Sequence, residues 1–138
     1  MQARWEHFEH GADIGVRGLA PTKAQAFEQA ALALTAVVTD PALVAPEIEV
    51  ALQCEAGDDE LLLATWLNAL VSEMATRRML FSHFALSLHD HRLEARMAGE
   101  RVHVARHRPT VEVKGATVTA LRVAPVDGGW LAQTVVDV

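Results

Sequence analysis

The chain has 138 residues, of which 51% are hydrophobic and 22% are charged, a composition typical of one globular domain and incompatible with wholesale disorder. The formal net charge is −6, and the 12 Lys and Arg residues are spread along the chain without a basic block, which disfavours strong direct binding of nucleic acid. No apolar run has the length of a membrane span and the N-terminus lacks the apolar core of a signal peptide, so we expect a cytoplasmic location and no membrane partner.

The first half of the chain predicts short strands and two long helices. In order, the patterns predict strands at 4–9 and 13–19, a helix over about 22–39, a strand at 47–55, and a helix between about 57 and 78. Thr22 and Gln25 have the spacing of a capping box. Acidic residues open the second helix while Arg77 and Arg78 close it, which matches the helix dipole. Cys54 is on the apolar side of its strand, which predicts a buried free thiol and not a nucleophile.

The second half of the chain has the period of two that is typical of strands. It predicts, in order, a hairpin of strands at 84–88 and 93–97 joined through Asp90-His91, a turn at Gly99-Glu100, an irregular stretch to Pro109, a strand region over about 110–124, a hairpin turn at Asp127-Gly128-Gly129, and a last strand over 130–137. This order predicts one α+β domain over residues 1–138, with two helices packed on a largely antiparallel β-sheet.

An acidic turn near the start of the chain is the strongest candidate for a site. Asp13 lies in the segment His10-Gly11-Ala12-Asp13-Ile14-Gly15, where glycines allow a tight turn and apolar neighbours anchor the backbone. The last strand ends in Asp137, followed by the α-carboxylate of Val138. If the first and last segments are neighbours in one sheet, three acidic groups meet. Such hard oxygen ligands favour a divalent cation, calcium first, with magnesium or manganese as alternatives.

Each candidate residue also has a structural interpretation. Asp13 could satisfy backbone N–H groups in its own turn, and Asp137 could be a solvated strand end. His10 could contribute to the site or to a partner interface, and equally could be a structural histidine beside a turn. Lys114 could be a solvated charge, or it could meet phosphate or an acidic partner surface.

Three segments of the chain carry a resemblance to a known family. They are Trp5-Glu6-His7-Phe8-Glu9-His10-Gly11-Ala12-Asp13-Ile14-Gly15, Glu112-Val113-Lys114, and Trp130-x-Ala132-Gln133 through Asp137-Val138. These segments resemble the archease family, and the resemblance extends in order over essentially the whole chain. Shorter matches at Trp66-Leu67-Asn68-Ala69-Leu70, Gly99-Glu100 and Arg106-His107 accompany them.

The resemblance implies a small cytoplasmic protein that is not itself an enzyme and that activates RNA ligases of the RtcB type in tRNA splicing and RNA repair. Its implied role is to promote guanylylation of the ligase and so permit multiple turnover, with GTP and RNA bound only through the ligase. The family's metal site falls on Asp13, Asp137 and Val138. A family lysine that is important for activation falls on Lys114.

Four positions depart from the family pattern. Gly11 stands where threonine usually follows the histidine of the motif. Val118 and Thr119 stand at the positions of a family tyrosine and histidine, and His103 replaces a common aspartate. If those groups contact the ligase or order the metal loop, partner choice or activity differs here.

Two rival classes of function remain open. A zinc hydrolase could use the histidine pairs His7 and His10, His89 and His91, and His103 and His107, although no His-Glu-x-x-His helix is present and exposed histidines are the simpler expectation. An interaction or chaperone-like module would have no metal role. It would show neither stabilisation by cations nor an effect on any ligase.

Overall fold

The structure is a computed structural model that describes all residues from 1 to 138. In chain order its elements are β1 (Arg4–His10), β2 (Asp13–Ala20), α1 (Lys23–Val38), a short 3-10 helix (Pro41–Leu43), β3 (Ile48–Glu55), α2 (Asp59–Arg77), β4 (Met79–His89), β5 (Arg92–Arg101), α3 (Val104–His107), β6 (Gly115–Ala116), β7 (Arg122–Val126) and β8 (Gly129–Asp137). None of the helices combines the length and the apolarity needed to cross a membrane.

The strands form two antiparallel sheets and not the single sheet expected from the sequence. The first sheet has the order β1-β2-β8-β6, with β7 also paired to β8, and the second has the order β3-β5-β4. Both α1 and α2 contact strands of both sheets, so the helices pack against the two sheets at once. This arrangement buries one face of each sheet and confirms the predicted α+β class.

The core joins the two helices to the two sheets. Val16 of β2 and Ala132 of β8 are fully buried, as is Phe27 of α1. Trp66 of α2 is also fully buried; its indole N–H donates to the carbonyl of Phe27 over 3.2 Å, and its ring meets Phe84 of β4 edge-on. The partnered indole allows a large ring to be buried without an unsatisfied donor.

Local sequence signals located the helix starts and the tight hairpins correctly. The hydroxyl of Thr22 accepts a hydrogen bond from the backbone N–H of Gln25 over 3.2 Å. Asp58 caps α2 in the same way by accepting from Leu61 over 2.7 Å. The turns between β4 and β5 and between β7 and β8 fall where they were predicted.

The strand region expected over about 110–124 is wrong. Only the two short strands β6 and β7 form there. The hydroxyl of Thr110 donates to the carbonyl of Val37, and that of Thr117 donates to the carbonyl of Val135, over 3.0 and 2.8 Å. Thr110 is thus bonded to a carbonyl in the last turn of α1 and Thr117 to a carbonyl of β8, so different elements hold different parts of this stretch and it does not form one long strand.

The turn expected at Gly99 and Glu100 is also wrong, because both residues lie inside β5. Gly99 pairs with Phe81 next to a bulge in β4, and a Cβ at position 99 would lie 1.9 Å from the carbonyl oxygen of Leu80. Glycine therefore permits a close approach of two backbones and does not turn the chain. The stretch expected to be irregular contains α3.

Cys54 lies on the inner side of β3, as predicted, but it is only half-buried. Strand β3 is at the edge of its sheet, so its side chains are less covered than those of β5. Burial raises the pKa of the Cys54 thiol. A raised pKa lowers the thiolate fraction, which disfavours a nucleophilic role.

Candidate functional site

The hairpin of β1 and β2 presents Asp13 at one end of the first sheet. Asp13 is the first residue of β2, and it pairs in register with His10, the last residue of β1. Gly11 in the connecting turn has a φ of +61°, which glycine adopts without the steric cost of a Cβ. The residue at the usual threonine position is therefore well suited to this turn.

Strand β8 brings Asp137 next to Asp13. The antiparallel pairing of β2 and β8 ends with Ile14 opposite Val136, so Asp13 and Asp137 occupy the next facing positions. Facing residues of an antiparallel pair point to the same side of the sheet, with Cβ atoms about 4.5–5.5 Å apart. The expectation that the first and last segments are neighbours in one sheet is confirmed.

Strand β6 brings Lys114 to the same end of the sheet. The backbone N–H of Lys114 donates to the carbonyl of Asp137 over 2.8 Å, and the next residue, Gly115, pairs with Asp137. On the other edge of β6, the side chain of Asn68 in α2 donates to the carbonyl of Ala116 over 3.2 Å and accepts from its N–H over 2.9 Å. The Asn68 amide thus replaces a neighbouring strand and holds the segment that begins with Lys114.

The role of Asn68 has no signal in the sequence. Its side chain carries the donor and acceptor of a peptide group, but nothing in the local pattern of α2 indicates which backbone it meets. Only the pairing of β6 with β8 brings a strand edge to it.

The candidate side chains are free to bind. Asp13, Asp137, His10 and Lys114 take part in no ion pair. No group of three or more His, Cys, Asp or Glu side chains is arranged to hold a metal ion. A cation at the two aspartates therefore needs additional oxygens, which the carboxylate of Val138, water or a partner could supply.

A network on the same face of the sheet fixes the strands around the site. The Arg17 guanidinium lies over the ring of Phe8, 4.6 Å from its centroid, and binds Glu6 over 2.7 Å and Gln133 over 2.8 Å. The Phe8 ring covers Gly15, where a Cβ would lie 2.4 Å from ring atoms. Side chains of β1, β2 and β8 are thereby connected beside the two aspartates, which explains the aromatic and the glycine of the opening segment.

A second polar cluster lies around Glu100, which the sequence pattern predicted to lie in a turn. The Glu100 side chain is buried and accepts from the N–H of Ala45 over 2.7 Å and from two nitrogens of Arg106 over 2.7 and 2.6 Å. It also bonds to Nε2 of His107 over 3.0 Å, and His107 Nδ1 accepts from the backbone N–H of His103 over 2.8 Å. The expectation of exposed histidines is thus wrong for the buried His107.

The Arg106 guanidinium and the Ala45 N–H hold the pKa of Glu100 far below its ordinary range. We therefore expect Glu100→Gln to be less stable than the wild type at about pH 7, and the difference to shrink in acid. A depressed folded pKa gives stability that is complete above the unfolded value of about 4.3 and is lost as the pH falls through the folded value.

Urea unfolding at about pH 7, 5 and 3 measures the difference in free energy of unfolding between the wild type and Glu100→Gln. This difference should be equal at the two higher pH values and smaller at the lowest. The exposed Glu94→Gln on β5 is the control and should show no such trend. A Glu100→Gln difference that does not change down to the lowest pH would contradict the assignment.

The zinc-hydrolase alternative has no ligand set in this fold. His7 bonds through Nε2 to the carbonyl of Ala33 over 2.7 Å, and His107 is committed to Glu100. The rings of His103 and His107 are neighbours, 5.9 Å apart, but no third ligand joins them.

Similarity to known proteins identifies the family. Residues 5–138 match the model of the Archease protein family. The chain belongs to the archease family. A protein archease from Pyrococcus furiosus is 33% identical over 140 residues, which span 98% of this chain and 99% of that protein. One from Thermococcus gammatolerans is 37% identical over 139 residues, which span 97% and 98%.

The archease fold is also seen in a solved structure. The solution structure of Methanobacterium thermoautotrophicum protein 1598 is similar with a TM-score of 0.79 and 27% identity, covering 97% of this chain and 98% of that one. The family resemblance and the fold class predicted from the sequence are therefore confirmed.

Proposed function

We propose that this archease is an accessory protein that activates an RtcB-type RNA ligase in the cytoplasm. It promotes guanylylation of the ligase and so permits multiple turnover in tRNA splicing and RNA repair. GTP and RNA are bound by the ligase, not by this chain. The observation that supports the proposal most is the convergence of Asp13, Asp137 and Lys114 at one sheet end, the residues that match the family's functional positions.

In this proposal Asp13, Asp137 and the carboxylate of Val138 hold a divalent cation, calcium first, with magnesium or manganese as alternatives. The fit rests on two facing carboxylates that have no ion-pair partner and carry hard oxygens. Calcium takes 6–8 oxygens, so this set leaves positions for water or for phosphate oxygens of a partner's nucleotide. A bound cation would add positive charge that reduces the repulsion between such phosphate groups.

Lys114 and His10 would contact the ligase from either side of the aspartates. Lys114 is exposed and is held beside Asp137 through its own backbone N–H, so its ammonium group can reach a phosphate or an acidic group on the partner. His10 is exposed at the end of β1. The only thiol, Cys54, lies in the second sheet with a raised pKa, which disfavours it as a nucleophile.

The test is multiple-turnover RNA ligation by an RtcB-type ligase with GTP and a divalent ion. We expect stimulation by the wild type and a loss of at least about 10-fold with Asp13→Asn or Lys114→Ala. Asp127→Asn, in the turn before β8 at the far end of the strand, is the charge-matched control and should stimulate fully. No stimulation by the wild type would refute the function. Full stimulation by Asp13→Asn would keep the ligase as the partner and refute the role of a cation at Asp13.

A further inference from the structure

An apolar groove lies beside the segment that leads to Lys114. Its walls are the C-terminal half of α2 and the loop from Pro109 to Val113, and its volume is about 200 Å³. Its lining is apolar except for the exposed Glu112, and the apolar side chains left at least partly open to solvent include Val71, Met74, Ala75, Val102 and Val111. Val111 keeps 40% of its surface exposed.

A hollow lined by three arginines adjoins this groove. Arg77, Arg78 and Arg101 line it with no carboxylate among them, and Met79 belongs to the walls of both the groove and the hollow. The N–H of Val102 in the groove donates to the carbonyl of Arg78 over 3.0 Å, which ties the two features together. We call this second feature the arginine hollow.

The arginine hollow is an unbalanced positive patch in an acidic protein. Arg77 pairs with Glu73, but Arg78 and Arg101 form no ion pair. The whole chain has a formal net charge of −6. Local positive charge of this kind attracts carboxylates and excludes cationic partners.

We propose that the groove and the arginine hollow together form a docking surface for a short acidic segment of a partner protein. One or two large apolar side chains of that segment fill the groove, and its carboxylates pair with Arg78 and Arg101. Arginine is suited to this because its planar fork binds a carboxylate through two hydrogen bonds. Buried apolar anchors next to arginines are also the usual energetic centre of protein interfaces.

The size and chemistry of the groove favour a protein segment over other ligands. Pockets for small organic ligands are usually about 300–1,000 Å³, larger than this groove. Single-stranded RNA is held by aromatic side chains that stack on bases, and the groove has none. A bare phosphate site would not need the apolar wall.

The position of the surface gives the docking a consequence for the proposed site. The loop that walls the groove runs directly from Val113 to Lys114, whose N–H is bonded to Asp137. A partner held in the groove is therefore brought to the sheet end that carries Lys114 and the aspartates. The identification of that partner as the ligase rests on the proposed function, whereas the chemistry of the segment does not.

Binding of the full-length protein to the ligase, measured by biolayer interferometry, tests the proposal. We expect Val111→Asp and the double variant Arg78→Glu/Arg101→Glu to bind at least about 10-fold more weakly than the wild type, and added salt to weaken wild-type binding. Arg92→Glu/Arg96→Glu is the matched control, since both arginines are exposed on β5 with ion pairs no shorter than 3.7 Å. It should bind within about 2-fold of the wild type.

If both Val111→Asp and Arg78→Glu/Arg101→Glu bind the ligase with wild-type affinity, the docking surface is refuted and the proposed function stays intact. If the wild type does not bind the ligase, the proposed function fails, and synthetic amphipathic helices with acidic or basic flanks serve as probes instead. Changes in the NMR chemical shifts of Val71 and Met74 with the acidic peptide but not with the basic peptide would support the surface. Changes with both peptides, or with neither peptide, would refute it. RNA binding that is lost in Arg78→Glu/Arg101→Glu and kept in Val111→Asp would refute it too, since the hollow would then be a phosphate site.

Discussion

Calcium should stabilise the wild-type protein against unfolding, and Asp13→Asn should abolish most of that effect. A ligand that binds only the folded state at about 100 times its dissociation constant raises the free energy of unfolding by about 2.7 kcal/mol. Asp13 and Asp137 follow the last pair of β2 and β8 at facing positions, where like charges destabilise an antiparallel pair if no cation lies between them. We therefore expect the variant to be at least as stable as the wild type in chelator and less stable in calcium.

The opposite order of stability in chelator and in calcium distinguishes an Asp13 that binds a cation from an Asp13 that only forms the turn. If Asp13 only satisfied its own turn, Asp13→Asn would be destabilised equally with calcium and with chelator. Glu9→Gln is the control, because Glu9 is exposed on β1 opposite Ile14, on the other side of the sheet from Asp13. Urea unfolding of the three proteins measures the effect. No wild-type stabilisation by calcium, magnesium or manganese would exclude the cation site.

The site shows which parts of function the sequence can predict. Asp13 and Asp137 are recognisable because each is an acid at the end of an apolar strand. Their meeting depends on the pairing of β2 with β8, which joins the two ends of the chain and which no local pattern contains. Asn68 was missed for the same reason, since its partner Ala116 is 48 residues away.

The fold divides along the same line between local and non-local causes. Helix caps and two-residue hairpins depend on neighbouring residues, and these were predicted correctly. The separation into two sheets depends on which strands pair with each other over long distances in the chain. Glu100 was taken for a turn residue because Gly99 precedes it, and its true environment is set by Ala45, Arg106 and His107.

The structural role of a glycine inside a strand is difficult to predict from the sequence. A glycine in a strand indicates a turn, a bulge or a close approach of another backbone, and the sequence does not distinguish these. Gly18 of β2 is a close approach. A Cβ there would lie 2.0 Å from the carbonyl oxygen of Ala26 and 2.6 Å from the nitrogen of Ala30, both in α1.

Gly18→Ala should therefore lower the free energy of unfolding by about 3 kcal/mol, the upper part of the usual cost of overpacking. The overlap is with helix backbone and not with a flexible side chain, so α1 must move away from the sheet, and the contacts of Phe27 and Val16 loosen with it. Gly57→Ala is the matched control, because a Cβ there meets nothing within 4 Å, and its effect should stay within about 0.5 kcal/mol. Equal urea midpoints for the two variants would mean that α1 can shift freely. The seating of α1 would then not be what holds β2, and with it Asp13, in place.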